Sequence, residues 1–131
     1  VKSEQPWDPP SFQIDPSRPL YEQFAEQIKA EIARGSLSPG RRLPSVRDLA
    51  AKLRVNPNTV MRTYQELERE KLIVTFRGQG TFVTDSDDVI LHSKRAIAKA
   101  AYAQLQQVAE SIGLTVEQLL VLVKQQEEDE L

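Results

Sequence analysis

The chain has 131 residues, 40% hydrophobic and 27% charged, with a net charge of −2. That is room for one small soluble domain with an appendage, and too little for a Rossmann enzyme or for an α/β barrel, which alone needs ~250 residues. There is no cysteine and a single histidine, His92, so disulfides, thiolate or histidine-rich metal sites and thiol catalysis are excluded and no cofactor is expected. No apolar run approaches the ~18 residues of a membrane span and no signal-peptide pattern opens the chain, which predicts a cytoplasmic protein without a membrane partner.

Residues 1–17 read as an extended arm, because five of the eight prolines fall within residues 1–19. Within it Phe12-Gln13-Ile14-Asp15 alternates as a short edge strand does, and Trp7 is a packing anchor. A first helix is predicted from Pro19, with Tyr21, Phe24, Ala25, Ile28 and Ile32 on one face and Gly35 as its stop. Ser38-Pro39-Gly40 makes a turn, and Leu43 plugs the core. Ser45 caps a second, short helix striped by Val46, Leu49, Ala50 and Leu53, with Asp48 placed for a capping box. Asn56-Pro57 opens a third helix running to about Lys71, since asparagine is a strong N-cap and proline suits the next position. Val60, Tyr64 and Leu67 face inward there; Asn58, Thr59 and Arg62 face outward. Two helices joined by so short a turn, over about 46–65, form a helix-turn-helix, whose second helix enters the major groove by its N-terminal end.

The period then changes to two. Ile73–Phe76 and Thr81–Val83, joined by the turn Arg77-Gly78-Gln79-Gly80, form a β-hairpin or wing over about 73–83. One arginine and two glycines at its tip let the backbone approach a narrow groove. Residues 87–131 are helical: one helix is capped by Asp87 or Asp88 and striped by Ile97, Ala101, Leu105, Val108 and Ile112, and Gly113 ends it. A second opens on a Thr115–Gln118 capping box and carries Val116, Leu119, Leu120 and Val123. The two form a helical hairpin with too little core to stand alone, so they must pack on the first domain or on a second chain.

Charge is unevenly spread. Residues 41–77 hold nine basic and four acidic side chains, a local excess of five positive charges, whereas residues 86–131 carry a net −4. A basic window on an acidic chain suggests a polyanion site, the alternative being a solvated charged face. The acidic run Glu127–Glu130 reads as a solubilising tail.

Several motifs at fixed spacing resemble GntR-type winged-helix regulators: Pro19-Leu20-Tyr21-Glu22-Gln23, Gly40-Arg41-Arg42-Leu43-Pro44-Ser45-Val46-Arg47-Asp48-Leu49-Ala50, Val55-Asn56-Pro57-Asn58-Thr59-Val60, Arg62-Thr63-Tyr64-Gln65-Glu66-Leu67 and Arg77-Gly78-Gln79-Gly80-Thr81-Phe82-Val83. The resemblance spans residues 12–84, and the Asn-Pro-Asn-Thr-Val wording with a short helical tail is most similar to the YtrA-like branch. It implies a mainly α fold with a small β wing: a winged helix-turn-helix domain over 18–86, then a C-terminal helical hairpin over 87–131 used for dimerisation. The implied dimer surface is Ile97, Ala101, Leu105, Val108, Leu119, Leu120 and Val123. Ser45 and Arg47 match positions that bind phosphate and reach a guanine, for which the guanidinium fork suits O6 and N7; an ion pair of Arg47 with Asp48 or Glu66 is the alternative. With them, Arg42, Asn56, Asn58, Thr59, Arg62, Tyr64, Arg77, Gly78 and Gln79 make up the candidate DNA contacts. For Asn56 a pure cap, and for Tyr64 core packing, stay open. Pro57 and Met61 depart from the basic residues many members carry there, which shifts specificity toward Arg47, Arg62 and DNA shape.

The expected function is therefore a sequence-specific DNA-binding transcriptional regulator: a repressor binding an inverted repeat of double-stranded DNA as a homodimer, with control of a transporter operon implied by the resemblance alone. A small-molecule effector, of unidentified chemistry, would have to sit at the dimer interface or between tail and head. The alternatives are a winged-helix protein-interaction module, which predicts no steep salt dependence with DNA, and a fragment of a MocR-type regulator, against which the capped tail and acidic end argue. An enzyme is not expected, because no phosphate-cradling loop joins a strand to a helix and no paired acids line an apolar cleft.

Overall fold

The computed structural model describes residues 5–130; residues 1–4 of the expected arm and residue 131 of the expected tail lie outside them. The chain divides at Ser93/Lys94 into two compact units. The first holds α1 (Leu20–Ala33), β1 (Arg42–Leu43), α2 (Val46–Leu53), α3 (Pro57–Arg69), β2 (Ile73–Phe76), β3 (Gly80–Val83) and the start of α4 (Asp87–Ser111). The second holds the rest of α4 and α5 (Val116–Glu130).

In the first unit α1 and α2 both pack on α3. The faces read from the periodicity are the buried ones: Phe24, Ala25, Ile28 and Ile32 on α1, Leu49 and Ala50 on α2, Val60, Tyr64 and Leu67 on α3. Leu37, Leu43, Leu72, Ile73 and Val83 complete the core, and Trp7 joins it from the arm. Burying each such aliphatic side chain contributes about 1.5–3 kcal/mol relative to exposure. Thr63, a polar residue on the inner side of α3, is fully buried; its hydroxyl lies 3.0 Å from the Thr59 carbonyl and 3.2 Å from the Tyr21 carbonyl, tying α3 to α1.

The hairpin is one part of a three-stranded antiparallel sheet in the order β1-β3-β2. Arg42 faces Phe82 and Leu43 faces Thr81 across β1 and β3, while Ile73 faces Val83 and Phe76 faces Gly80 across β2 and β3. The strand expected at residues 12–15 is absent. Its backbone groups are taken by α1 instead: Gln27 Nε2 donates to the Gln13 carbonyl (3.0 Å), Gln23 Oε1 accepts the Asp15 N–H (2.7 Å) and Gln23 Nε2 donates to the Asp15 carbonyl (2.7 Å). A segment whose polar groups are met by glutamines has no ladder left to join. The Trp7 N–H, by contrast, donates to the Arg42 carbonyl (2.8 Å) along β1.

Caps fix the helix starts. Ser45 Oγ accepts the Asp48 N–H (3.1 Å) and Asn56 Oδ1 accepts the Asn58 N–H (2.8 Å). The start of α4 differs from expectation: Ser86 Oγ accepts the Val89 N–H (3.2 Å), so Ser86 is the cap, and Asp87 and Asp88 fall in the first turn, where their charge favours the helix dipole. Val89 and Ile90 pack against the core of the first unit, which is why that unit runs on to Ser93.

In the second unit α4 ends as the glycine signal predicts, with the Leu114 N–H returning to the Ala109 carbonyl (2.9 Å). Thr115 and Gln118 form the reciprocal capping box, at 2.9 and 3.1 Å. The two helices do not pack along their lengths. Val116 is the only buried residue of α5 among those described, and Ala109 is buried on α4 in place of its expected stripe. Ile97, Ala101 and Val108 of that stripe are exposed and Leu105 is half-buried. On α5, Leu119 is half-buried, and Leu120, Val121, Leu122 and Val123 all stand in solvent. None of the described helices is long and apolar enough to cross a membrane.

Candidate nucleic-acid interface

The turn between α2 and α3 is set by Arg54, which adopts a left-handed conformation (φ +56°) and lets the Val55 N–H reach the Ala50 carbonyl at 3.0 Å. Val55 thereby packs inward against the core and Asn56 is delivered to the head of α3. The start of α3 presents side chains more than backbone. Pro57 has no N–H, the Asn58 N–H is held by the Asn56 side chain, and the Thr59 N–H donates to the Asn56 carbonyl (2.9 Å). The cap and the proline thus leave no free amide at this end to meet a phosphate. The Asn56 side-chain amide nitrogen, however, has no acceptor among the described residues, so a cap and an outward donor coexist in one residue. Ser45 behaves likewise, its oxygen accepting from Asp48 while its hydroxyl proton stays available.

Ion pairs take up five of the described basic side chains. Arg18 pairs with Glu26, Lys29 with Glu70, Arg34 with Glu31 (2.5 Å), Lys52 with Asp8 (2.7 Å) and Arg69 with Glu66. Among the described residues, Arg42, Arg47, Arg62 and Arg77 meet no carboxylate. Arg47 is exposed on the first turn of α2; of the two acids that could neutralise it, Glu66 is engaged by Arg69 and Asp48 makes no ion pair. Arg62 is exposed on α3 and stacks its guanidinium 3.9 Å from the centroid of the Tyr21 ring.

At the wing, Arg77, Gly78 and Gln79 are exposed at the tip, and the Gln79 N–H closes the turn on the Phe76 carbonyl (2.9 Å). Gly78 sits at φ +79° with open space around it, so backbone conformation and not crowding selects glycine. Gly80 is held by both: φ is +123°, and a Cβ there would lie 3.3 Å from Arg42 Nε. Arg42 therefore lies across the base of the wing, half-buried.

Tyr64 is placed in the core. Its hydroxyl donates to the Pro44 carbonyl (2.6 Å), only 6% of the residue is exposed, and burial pushes the phenol well above its ordinary value. Of the two readings open for it, the structure supports packing, and its hydroxyl is not free for a phosphate. The partnership of Tyr21 with Arg62 is the feature that sequence reading missed. The two residues lie 41 positions apart on different helices, and no local pattern links them.

A model of bacterial regulatory proteins of the gntR family matches residues 20–83, which spans α1 to β3. The chain is 40% identical to the HTH-type transcriptional repressor YtrA of Bacillus subtilis (strain 168), over 87% of this chain and 90% of that protein. It is 38% identical to the HTH-type transcriptional regulator YhcF of the same strain, over 86% of this chain and 93% of its relative. Among solved structures, a GntR family transcriptional regulator from Listeria monocytogenes superposes with a TM-score of 0.79 at 37% identity, covering 86% of this chain and 98% of its own. Relatives matched over nearly their whole length, together with a capped helix-turn-helix and a glycine-tipped wing, place this chain in the GntR family of bacterial transcriptional regulators.

Proposed function

We propose that this protein is a sequence-specific repressor that binds an inverted-repeat operator as a homodimer. The observation that carries the reading is a set of cations on the helix-turn-helix and its wing: Arg42 on β1, Arg47 on α2, Arg62 on α3 and Arg77 at the wing tip meet no carboxylate among the described residues. Unneutralised guanidinium groups are what a phosphate backbone and guanine edges require. The proposed contacts are Arg42, Ser45, Arg47, Asn56, Asn58, Thr59, Arg62, Arg77, Gly78 and Gln79, with Arg47 reading a base and the wing tip entering the minor groove. Tyr64 is left out, being a core residue.

The exposed apolar residues of α4 and α5 support a dimer, since water-facing Leu120, Val121, Leu122 and Val123 make one turn of α5 apolar on nearly every side. Two heads on one duplex double the contacts and match a palindromic site. Promoter occlusion is the proposed mode of repression, relieved when a small-molecule effector or another event alters the separation of the heads. The name of the Bacillus subtilis relative supports the repressor reading. Control of a transporter operon extends the same proposal by family likeness. Selection of bound duplexes from a random pool tests it: the wild type is expected to enrich a palindrome, and Arg47→Ala to lose it. Affinity for the selected duplex is expected to fall with salt along a log–log line of slope about −0.9 per phosphate neutralised. Failure to prefer any duplex over scrambled competitor would overturn the proposal.

A further inference from the structure

We infer that Tyr21 is a positioning residue for DNA binding, holding the guanidinium of Arg62 by its ring face so that Arg62 meets a backbone phosphate fully charged. The inference rests on the DNA-binding reading above and goes beyond it in adding a residue of α1 that contributes through another side chain.

Three observations carry it. The Arg62 guanidinium carbon lies 3.9 Å from the Tyr21 ring centroid, well inside the ~6 Å range of a cation–π contact. The nearby acids do not compete: Glu66 is bonded to Arg69, and Glu22, beside the Tyr21 hydroxyl, makes no ion pair among the described residues. The backbone that carries the ring is also anchored, because the Tyr21 carbonyl accepts the buried hydroxyl of Thr63, the residue next to Arg62, at 3.2 Å. An arginine held by a carboxylate is oriented but neutralised. One held by an aromatic face is oriented and keeps its charge and its in-plane N–H donors for an anion.

The ring decides where the guanidinium goes. Arg62 shares the exposed side of α3 with Asn58, one turn away, but the Tyr21 ring draws its guanidinium toward α1. A side chain leaning toward α1 is placed at the rim of the groove that α3 enters, where the sugar-phosphate backbone runs. The Tyr21 hydroxyl is not part of the device; within the chain it only approaches Glu22, at 3.4 Å.

The test uses the full chain and a duplex enriched by the wild-type protein from a random pool, with affinity measured across a salt series. Tyr21→Phe keeps the ring and is expected to match the wild type. Tyr21→Leu is expected to weaken binding roughly two- to tenfold, with an unchanged thermal transition. Arg62→Ala is expected to weaken binding and flatten the salt slope by about one, and Tyr21→Leu added to it is expected to cost nothing more. If Tyr21→Leu binds like the wild type, or lowers affinity equally with and without Arg62, the inference is overturned, the second result meaning a structural role. If Tyr21→Phe falls with Tyr21→Leu, the hydroxyl acts directly and the inference is also overturned. A wild type that enriches no duplex would instead remove the DNA-binding reading itself.

Discussion

At the scale of single residues, one hydroxyl separates the core from the interface. Tyr64 lies on the recognition helix within two positions of Arg62, yet its phenol is committed to the Pro44 carbonyl in the loop before α2. Both partners are buried, so Tyr64→Phe leaves a carbonyl without a donor, at a cost of about 1–3 kcal/mol. The expected outcome in denaturant is a lowered midpoint, with a salt slope on DNA equal to that of the wild type; a flattened slope would mean that the phenol does touch phosphate. Burial raises this phenol in the folded state, so the folded chain favours its neutral form. Its contribution to stability is full below the ordinary phenol value of about 10 and is lost as pH rises beyond it. Wild-type stability is expected to fall more steeply above that pH than the stability of Tyr64→Phe.

At the scale of elements, the local signals that were legible are those with a chemical mechanism inside a few residues. Ser45, Asn56 and the Thr115–Gln118 pair are caps in the sequence and caps in the fold. What was not legible depends on partners distant in the chain. β1 is two residues long and exists because β3 lies on one side of it and the Trp7 N–H on the other. The alternation at residues 12–15 is real, but Gln23 and Gln27 of α1 claim its backbone. Arg54 and Lys71 take left-handed conformations more usual for glycine or asparagine, and each lets the next residue, Val55 or Leu72, return its N–H to a carbonyl of the helix just ended. Of the candidate site, the turn at the wing tip and the cap at the head of α3 were legible in the sequence, while the Tyr21 ring against Arg62 was not.

The cap of α3 tests how local geometry serves the interface. Asn56 accepts from Asn58 with its oxygen and offers its amide nitrogen outward. Asn56→Ala removes both functions and is expected to cost about 1 kcal/mol of stability together with DNA affinity. Asn56→Asp keeps the acceptor and replaces the donor with a negative charge. It is expected to retain wild-type stability in denaturant while binding DNA at least tenfold more weakly, since like charges are brought together at the groove. Equal DNA binding by Asn56→Asp and wild type would make Asn56 a cap and nothing more.

At the scale of the whole molecule, the question is what covers the apolar side chains of α4 and α5. Leu120 and Val123 are 47% and 48% exposed, and they lie one turn apart on the same side of α5. A helix in water does not hold such a face open without cost, and α4 does not cover it. If a second copy does, two heads are tethered, and binding of the second half-site becomes intramolecular at an effective concentration on the order of millimolar. Avidity, and not any new contact, then supplies a gain of about 10²–10⁴ in affinity for a palindrome. The double substitution Leu120→Lys with Val123→Lys places charge on this face without touching the core of the first unit. It is expected to sediment as a monomer at micromolar concentration and to unfold with the same core transition. It should lose about two orders of magnitude of affinity for a duplex with two half-sites and almost none for a duplex with one. A variant that stays dimeric would put the interface elsewhere, and one that becomes monomeric yet binds both duplexes as the wild type does would show that the heads act independently.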